Sequence, residues 1–188
     1  MVLKIAIVGN IASGKSQAEL FFKDLGYPVY DTDDFSHQIL NEMTDFYGYD
    51  IFTQGKPDRK KLGKLIFSNP QLKQKLEEFI HPKVKNKIVE VFEKHKNEKL
   101  IFVSVPLLYE AGFEGLFDKV IFISANENIR LKRLMKRNNL TEEEAILRIK
   151  AQVSEDIKIK KADYTIFNNE SMDYYNKQLS AILNKLKT

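Results

Sequence analysis

Cysteine is absent from the 188 residues of this sequence, and its absence excludes two classes of site. Neither a disulfide framework nor a thiolate metal centre can form without it. A chain without cysteine suits a reducing cytoplasm, and we expect that location. Long apolar runs are absent as well. None approaches the ~18 residues of a membrane-spanning helix, so we expect no membrane partner.

Arginine is scarce, with 5 residues against 25 lysines, and the net charge is +4. Lysine spread along a chain indicates a solvated surface more than a nucleic-acid groove, so no nucleic-acid partner is expected. The few arginines are informative because four of the five lie within 130–148. That density favours an anionic partner.

Short apolar segments alternate with helical patterns along the chain. Five predicted strands are rich in β-branched or aromatic residues and nearly continuous in apolarity, as strands buried on both faces are: 4–8, 28–31, 100–105, 119–124 and 164–168. Their alternation with helices implies parallel pairing and right-handed crossovers. We therefore predict a single α/β domain, a three-layer sandwich around a five-stranded parallel sheet. The first strand follows the N-terminus directly, which argues against a signal peptide.

Helix boundaries are marked at several points. Gly26 is a plausible C′ residue for the first helix, and Thr141 with Glu144 forms a capping box at the start of a later one. An amphipathic helix is predicted for 171–188.

Two regions interrupt the alternation of strands and helices. The stretch 58–96 shows helical periodicity without a clear strand, and we place Pro70 and Pro82 each in a first helical turn. The stretch 126–152 is an arginine-rich pair of helices. Each region is a candidate for a substrate lobe or a lid.

The segment GNIASGKS, residues 9–16, has the pattern G-x-x-x-x-G-K-S between a strand and a helix, which is the context this motif requires. Its glycines let the backbone approach an anion, and its amides with the helix N-terminus attract phosphate. Lys15 would reach the β- and γ-phosphates, and Ser16 would offer its hydroxyl to Mg²⁺. The alternative is a glycine-rich turn with a surface lysine. The flanking elements favour a nucleoside triphosphate site.

Missing motifs narrow the class of triphosphate-binding protein. The guanine motif N-K-x-D is absent, and the D-x-x-G spacing at 45–48 does not follow a strand. A motor ATPase usually has an Asp-Glu pair at the end of its Walker B strand, but the third strand here ends VSVPLLYE. A small kinase is the class that remains.

Three acidic residues, Asp31, Asp33 and Asp34, lie where the second predicted strand ends. Ligands of open α/β sheets gather at the carboxyl ends of the strands. A carboxylate placed there can accept the proton of an attacking hydroxyl, a step worth roughly 10²–10⁴ in rate. Alternatively, Asp33 caps the following helix, a role compatible with the first.

Together with the loop, several segments resemble dephospho-CoA kinases, in order and spacing, over nearly the whole chain: YDTDDFSHQIL, DRKKLGKLIFSNP, IHPKV, VPLLYEAGF, RLKRLMKRNNLTEEEAILRIKAQ and ADYTIFNN. HPKV and VPLLYE are the specific pieces, since kinases in general lack them. The resemblance implies a P-loop kinase that phosphorylates the ribose 3′-hydroxyl of dephospho-CoA, the last step of coenzyme A synthesis. Its implied substrates are ATP and dephospho-CoA, its cofactor is Mg²⁺, and we expect a monomer or weak homo-oligomer.

The resemblance also assigns roles to residues near the donor. The triphosphate would be held by the loop and its flank, Gly9, Asn10, Ile11, Ala12, Ser13, Gly14, Lys15, Ser16 and Gln17. Arg133 and Arg137 resemble lid arginines that close on the transferring phosphoryl group. Asn168 lies where the adenine would be approached.

On the acceptor side, Asp33 resembles the general base, and Asp31 beside it would orient the nucleophile or Mg²⁺. An acceptor lobe over 58–96 is implied by Arg59, His81 and Pro82. Leu107 and Glu110, with Pro106 and Leu108, match the loop that lines the acceptor pocket.

Several of these residues have plainer alternatives. The arginines of 130–148 could be a solvated basic face, although Arg133 and Arg137, four apart, share one side of a helix and suit phosphate oxygens. His81 could cap a helix that begins at Pro82. Glu110 could pair with a cation in a buried turn.

Ala12 departs from the family, which commonly has glycine there, and alanine is tolerable at this position if its φ is negative. Two other functions stay open at this stage. One is a kinase for a nucleoside, nucleotide or shikimate-like acceptor. The other is a non-catalytic nucleotide sensor.

Overall fold

A computed structural model describes residues 1–187. Its strands and α-helices follow one another in mixed order. In chain order they are β1 (Leu3–Gly9), α1 (Lys15–Asp24), β2 (Val29–Asp31), α2 (Thr32–Asn41), β3 (Phe52–Thr53), β4 (Lys56–Pro57), α3 (Arg59–Ser68), α4 (Pro70–Lys94), β5 (Leu100–Ser104), β6 (Lys119–Ser124), α5 (Glu127–Asn138), α6 (Glu142–Lys150), α7 (Glu155–Lys161), β7 (Tyr164–Phe167) and α8 (Met172–Leu186).

The main sheet confirms the predicted fold class. Over the described residues it has five strands in the order β2-β5-β1-β6-β7, and β1 pairs in parallel with both β5 and β6. The five predicted strands agree with the observed ones to within one residue at each end. β1 is buried on both faces, since Ile5, Ala6, Ile7 and Val8 are all 0% exposed. Continuous apolarity therefore predicted this central strand correctly.

One face of the sheet is covered by α1 and α8. Their apolar residues join those of the strands in a single cluster that includes Phe22, Phe102, Ile121 and Leu179. The rings of Phe22 and Phe102 stack with centroids 4.0 Å apart. α1 ends as predicted, with Gly26 at φ +84 just after it. The final residue of the predicted C-terminal helix, Thr188, lies outside the described residues.

The chain divides into two compact units. One consists of Met1–Tyr30 together with the chain from Lys94 onward, and it contains the glycine loop. The other is Asp31–Glu93, which has a hydrophobic cluster of its own that includes Met43, Phe46 and Leu62.

The helical stretch 58–96 contains α3 and α4, as predicted, but Pro82 is placed differently. Pro70 does begin α4, whereas Pro82 lies inside this 25-residue helix. Our placement of Pro82 in a first turn is therefore wrong. Buried residues continue at every fourth position on both sides of it, at Leu72, Leu76, Val84, Ile88 and Phe92. That continuous apolar stripe outweighs the backbone hydrogen bond lost at proline.

A small hairpin, one α-helix and a 3₁₀ helix at Glu114–Leu116 were not predicted. β3 and β4 pair antiparallel across Gln54 and Gly55, both at positive φ, as a two-residue hairpin turn requires. Strands of two residues are too short to show a period in the sequence. The seven-residue α7 is also short, and it follows α6 closely.

The arginine-rich stretch 126–152 contains α5 and α6, as predicted. Thr141 and Glu144 form the expected capping box at the start of α6. The two helices share a cluster formed by Leu134, Ala145 and Ile149, against which Ile11 and Ala12 of the glycine loop pack. Across residues 1–187, no helix has the length and apolarity needed to cross a membrane.

Candidate active site

The glycine loop connects the carboxyl end of β1 to the N-terminus of α1. Gly14 is the N-cap residue of α1, with φ +102. A side chain at Gly14 would also be blocked, because its Cβ would lie 2.1 Å from Asn168 Nδ2. At Gly9 a Cβ would lie 2.5 Å from Ser13 Oγ and 3.0 Å from the carbonyl oxygen of Ile123. Both glycines of the motif are thus required by the structure.

Ala12 adopts a left-handed conformation with φ +61, so the condition of a negative φ, under which alanine is readily tolerated here, is not met. This conformation costs an L-residue roughly 1–2 kcal/mol relative to the right-handed region. The tight turn of the loop imposes the conformation. Packing of Ala12 against the cluster of Leu134, Ala145 and Ile149 helps to offset the cost.

Side chains from distant elements hold the loop carbonyls and one loop amide. Asn168 donates from Nδ2 to the carbonyl of Ser13 at 2.8 Å, and the Tyr175 hydroxyl donates to the carbonyl of Gly14 at 3.1 Å. The amide of Ile11 donates to Gln152 Oε1 at 2.7 Å. The structure therefore gives Asn168 a role beneath the loop, and its predicted approach to adenine stays a prediction.

Tyr175 and Gln152 were missed by sequence reasoning. Tyr175 is 1% exposed, and burial raises the pKa of its hydroxyl. In the sequence it looks like any aromatic residue on the apolar face of α8. Gln152 follows α6 without a local pattern. Neither residue carries a signal that links it to a loop more than 130 positions away.

The loop lysine forms a cluster with two further residues, Glu19 and Ser104. Lys15 Nζ donates to Glu19 Oε1 at 2.8 Å and also contacts the Ser104 hydroxyl. That hydroxyl donates to the same Glu19 oxygen at 2.6 Å. Sequence reasoning missed both partners. The i, i+4 spacing of Lys15 and Glu19 on one helix was an available signal for the first.

The three arginines of α5 lie in different environments. Arg133 donates to the carbonyls of Asn168 at 3.2 Å and Ser13 at 3.5 Å, so it faces the loop. Arg137 is exposed, and its Nε donates to Asn138 Oδ1 at 2.9 Å. Arg130 is 4% exposed, and its Nη2 lies 3.3 Å from Glu155 Oε2. The alternative that these arginines form a solvated basic face is therefore wrong for Arg130. Arg148, in contrast, is exposed.

A polar cavity of about 490 Å³ lies beside the loop. Its lining includes Asn10 from the loop, Ser124 and Arg130 from the β6–α5 region, Gln152 and Glu155. Glu155 accepts a hydrogen bond from the Ser124 hydroxyl in addition to pairing with Arg130. The cavity walls thus join the loop to the stretch 126–152.

The segment that follows β5 contains the specific piece VPLLYE. Leu107 is 49% exposed, whereas Leu108 is fully buried. Glu110 lies 3.1 Å from the Nζ of Lys158, a lysine with 0% exposure. The structure thus shows Glu110 in an ion pair, which was the alternative interpretation. The contact of Glu110 with the acceptor stays a prediction. Burial, followed by the charge of Glu114, raises the pKa of Tyr109 to about 12.

The acidic residues after β2 lie in the unit 31–93. Asp31 is the N-cap of α2, and its Oδ1 accepts from the amide of Asp33 at 2.9 Å. The alternative that Asp33 itself caps this helix is therefore wrong. Asp33 lies in the first turn of α2 and is exposed.

The remaining residues predicted for the acceptor also belong to this unit. Arg59 is exposed at the start of α3, directly after its N-cap Asp58. His81 and Pro82 lie together in the interior of α4, so His81 is not the cap of a new helix. Both remain accessible, His81 partly and Pro82 largely.

A parallel sheet whose central strand runs through G-x-x-x-x-G-K-S into a helix defines the class of P-loop nucleotide-binding proteins. Shikimate kinase from Bacteroides thetaiotaomicron shares this fold, with a TM-score of 0.62 at 15% identity over 99% of both chains. Within the class, the family model for dephospho-CoA kinase matches residues 3–173. The chain therefore belongs to the dephospho-CoA kinase family.

Individual relatives agree with the family assignment. Dephospho-CoA kinase from Listeria monocytogenes is 37% identical over 191 residues, covering 96% of each chain. A solved structure of dephospho-CoA kinase from Campylobacter jejuni has a TM-score of 0.77 at 32% identity, over 99% of this chain and 98% of that one. A solved structure of TT1252 from Thermus thermophilus has a TM-score of 0.87 at 32% identity, with 98% of both chains covered.

Proposed function

We propose that this protein transfers the γ-phosphoryl group of ATP to the ribose 3′-hydroxyl of dephospho-CoA, giving coenzyme A and ADP. The observation that carries the proposal is the complete phosphate loop, Gly9 to Ser16, in a chain of the dephospho-CoA kinase family. Both glycines of the motif are sterically required there. Phosphoryl transfer depends mainly on positioning and charge stabilisation, and the loop can supply both.

On the donor side, the loop residues from Gly9 to Gln17 bind the triphosphate, and Lys15 contacts its terminal phosphates. Arg133 and Arg137 act from α5, where guanidinium groups match phosphate oxygens. Arg133 faces the loop through its hydrogen bond to the carbonyl of Ser13, and it also donates to the carbonyl of Asn168. Asn168 supports the loop and approaches the adenine. We propose that 126–152 acts as the lid.

The residues near the loop fit Mg²⁺, which prefers oxygen ligands and often takes one or two from the protein with the rest from phosphates and water. Ser16 presents an exposed hydroxyl in the first turn of α1, and the Glu19 carboxylate lies one turn further along. In residues 1–187, no cluster of three or more His, Cys, Asp or Glu side chains could hold a metal alone. When bound with ATP, Mg²⁺ neutralises charge that develops on the phosphate oxygens.

On the acceptor side, Asp33 accepts the proton of the ribose 3′-hydroxyl as its oxygen forms a bond to the γ-phosphorus. The bond from that phosphorus to the bridging oxygen breaks, and ADP leaves. Asp31 orients Asp33 through the hydrogen bond to its backbone amide. Arg59, His81 and Pro82 from 58–96 bind dephospho-CoA, together with Leu107 and Glu110.

An acceptor panel tests the proposal. Purified protein is incubated with ATP, Mg²⁺ and one acceptor at a time, either dephospho-CoA, a nucleoside, a nucleotide or shikimate. Of these acceptors, we expect only dephospho-CoA to cause release of ADP. ³¹P NMR of the product should place the new phosphate on the 3′ oxygen. Preference for another acceptor would identify a different small-molecule kinase. ATP binding without any acceptor-dependent ADP would identify a sensor.

Quaternary state and location belong to the same proposal. We propose a monomer or weak homo-oligomer that works in the cytoplasm. Sedimentation velocity over a hundredfold range of protein concentration tests the first point, since a stable oligomer would keep its size on dilution.

A further inference from the structure

The strand beside the phosphate loop ends without a carboxylate. In P-loop NTPases, Mg²⁺ is held by the loop Ser or Thr together with a Walker B aspartate. Here β5 is the neighbour of β1 on one side, and Ser104, the last residue of β5, pairs with Ile7. Ser104 therefore occupies the end of this strand with a hydroxyl group only.

A carboxylate nevertheless lies at this strand end, and it comes from α1. The Ser104 hydroxyl donates to Glu19 Oε1 at 2.6 Å. Ser104 is 0% exposed and the Glu19 side chain 18%, so the hydrogen bond is largely shielded from water. Glu19 is three residues after Ser16, which puts both on one side of α1.

Lys15 is a cationic partner of Glu19. Its Nζ lies 2.8 Å from Glu19 Oε1. A carboxylate with so little exposure needs a cationic partner because burial of an unpaired charge is costly. When the terminal phosphates of ATP attract Lys15, a divalent cation beside Ser16 can replace the lysine as that partner.

We propose that Glu19 supplies the carboxylate of the Mg²⁺ site, in place of an acidic residue at the end of β5, and that Ser104 is a positioning residue for it. The proposal rests on the proposed function to the extent that Mg²⁺ and ATP bind together at the loop. It concerns the binding of donor and metal, and not the identity of the acceptor.

The decisive variant is Glu19→Gln, which keeps the shape of the side chain and removes its charge. ATP affinity is measured by titration calorimetry with Mg²⁺ and again with EDTA. We expect the gain in affinity due to Mg²⁺ to fall about tenfold, while the affinity in EDTA stays equal or rises. The affinity of Glu19→Gln for Mn²⁺ in the presence of ATP, measured by EPR, should fall in parallel.

Asp24→Asn is the matched control, since it makes the same charge change at the exposed end of α1. It should leave the Mg²⁺ effect unchanged. If Glu19→Gln also leaves the Mg²⁺ effect unchanged, Glu19 is only a partner of Lys15 and the proposal is overturned.

The role of Ser104 is tested in two ways, by removing its hydroxyl and by moving the carboxylate from α1 to the strand. Ser104→Ala should reduce the Mg²⁺ effect severalfold, whereas Ser104→Thr, which keeps the hydroxyl, should preserve it. The double variant Glu19→Gln with Ser104→Asp puts an acidic residue back on the strand, and we expect the Mg²⁺ effect to recover. Equal behaviour of the alanine and threonine variants would remove Ser104 from the site.

All of these titrations are carried out without acceptor. A chain that bound ATP and Mg²⁺ through Glu19 but failed to phosphorylate dephospho-CoA would contradict the proposed function and leave this inference intact. Normal turnover of dephospho-CoA with an unaltered Mg²⁺ effect in Glu19→Gln would support the proposed function and contradict this inference.

Discussion

Arg130, Arg133 and Arg137 show how residues of one type on one helix acquire different roles. All three belong to the same basic stretch of α5. Arg130 is buried against Glu155, Arg133 donates to the loop carbonyl of Ser13, and Arg137 is exposed. A buried, paired arginine fixes structure, whereas an exposed one is available to a ligand. Environment therefore separates the residues that the motif alone treats alike.

Asp33 is the residue on which the proposed chemistry depends most. Asp33→Asn keeps the size of the side chain but cannot accept the hydroxyl proton, so kcat should fall roughly 10²–10⁴-fold. The affinity for ATP should stay unchanged. Steady-state kinetics with calorimetric ATP titration checks both. Asp34→Asn is the control, because Asp34 is the next exposed carboxylate in the same helical turn, and it should retain most of the activity. Full turnover by Asp33→Asn would reject Asp33 as the base.

Ala12 is a site where glycine should increase stability. Ala12→Gly removes a left-handed strain of roughly 1–2 kcal/mol, partly offset by the greater freedom of glycine in the unfolded chain and by loss of the methyl contact with the cluster of Leu134, Ala145 and Ile149. We expect a gain of about 0.5–1 kcal/mol in the free energy of unfolding, measured in urea. Ala18→Gly, in the interior of α1, should instead destabilise by about 1 kcal/mol or more. A similar loss in both variants would contradict the strain argument.

At the scale of single elements, the start of α6 depends on a side-chain cap. Thr141 accepts a hydrogen bond from the amide of Glu144, and the Glu144 carboxylate accepts one from the amide of Thr141. Thr141→Ala should lower the free energy of unfolding by about 1 kcal/mol. Ser154 is a matched control, because it is the N-cap of α7 and makes no side-chain capping bond. Thermal unfolding should show little change for Ser154→Ala, and equal losses would remove the cap as the cause.

α3 should lose its cap in acid. The Asp58 carboxylate accepts from the amides of Lys60 and Lys61, and these hydrogen bonds, that to Lys61 foremost, hold its pKa below the usual 3.8. A carboxyl whose pKa is lower in the folded state stabilises above its unfolded pKa, and the contribution disappears as pH falls through the folded value. Stability should therefore decline below about pH 4.

The variant Asp58→Asn isolates this contribution, since asparagine also caps helices but does not titrate there. Urea unfolding between pH 5 and pH 2 should show a shallower acid decline for the variant than for the wild type. Identical declines would show that Asp58 does not contribute to the acid sensitivity.

At the scale of the whole molecule, the two ligands should protect different parts of the chain. The residues proposed to bind ATP lie in the unit made of Met1–Tyr30 and the chain from Lys94 onward, whereas Asp31, Arg59, His81 and Pro82 lie in Asp31–Glu93. With ATP alone, hydrogen exchange should slow mainly in the first unit, since bound ligand suppresses local opening. Dephospho-CoA should add protection in the second. Protection of 31–93 by ATP alone would contradict the division of roles.

The sequence alone determined the features that are written in contiguous residues. The central strands follow from unbroken apolarity, the cap of α6 from Thr141 and Glu144, and the phosphate loop from eight consecutive residues. Each depends on short-range geometry, namely the period of a strand, the reach of a side chain across one turn, and the backbone freedom of glycine.

The tertiary structure decided which distant residues meet. Tyr175 and Gln152 reach the loop from α8 and from the segment after α6, and Ser104 meets Glu19 across 85 positions. Such pairs leave no periodic trace, because they depend on how two elements pack. Packing also overrode local preference, placing Pro82 within one long helix and Ala12 at a positive φ. Burial of a whole apolar face outweighs the cost at one backbone position, and that balance exists only in the folded chain.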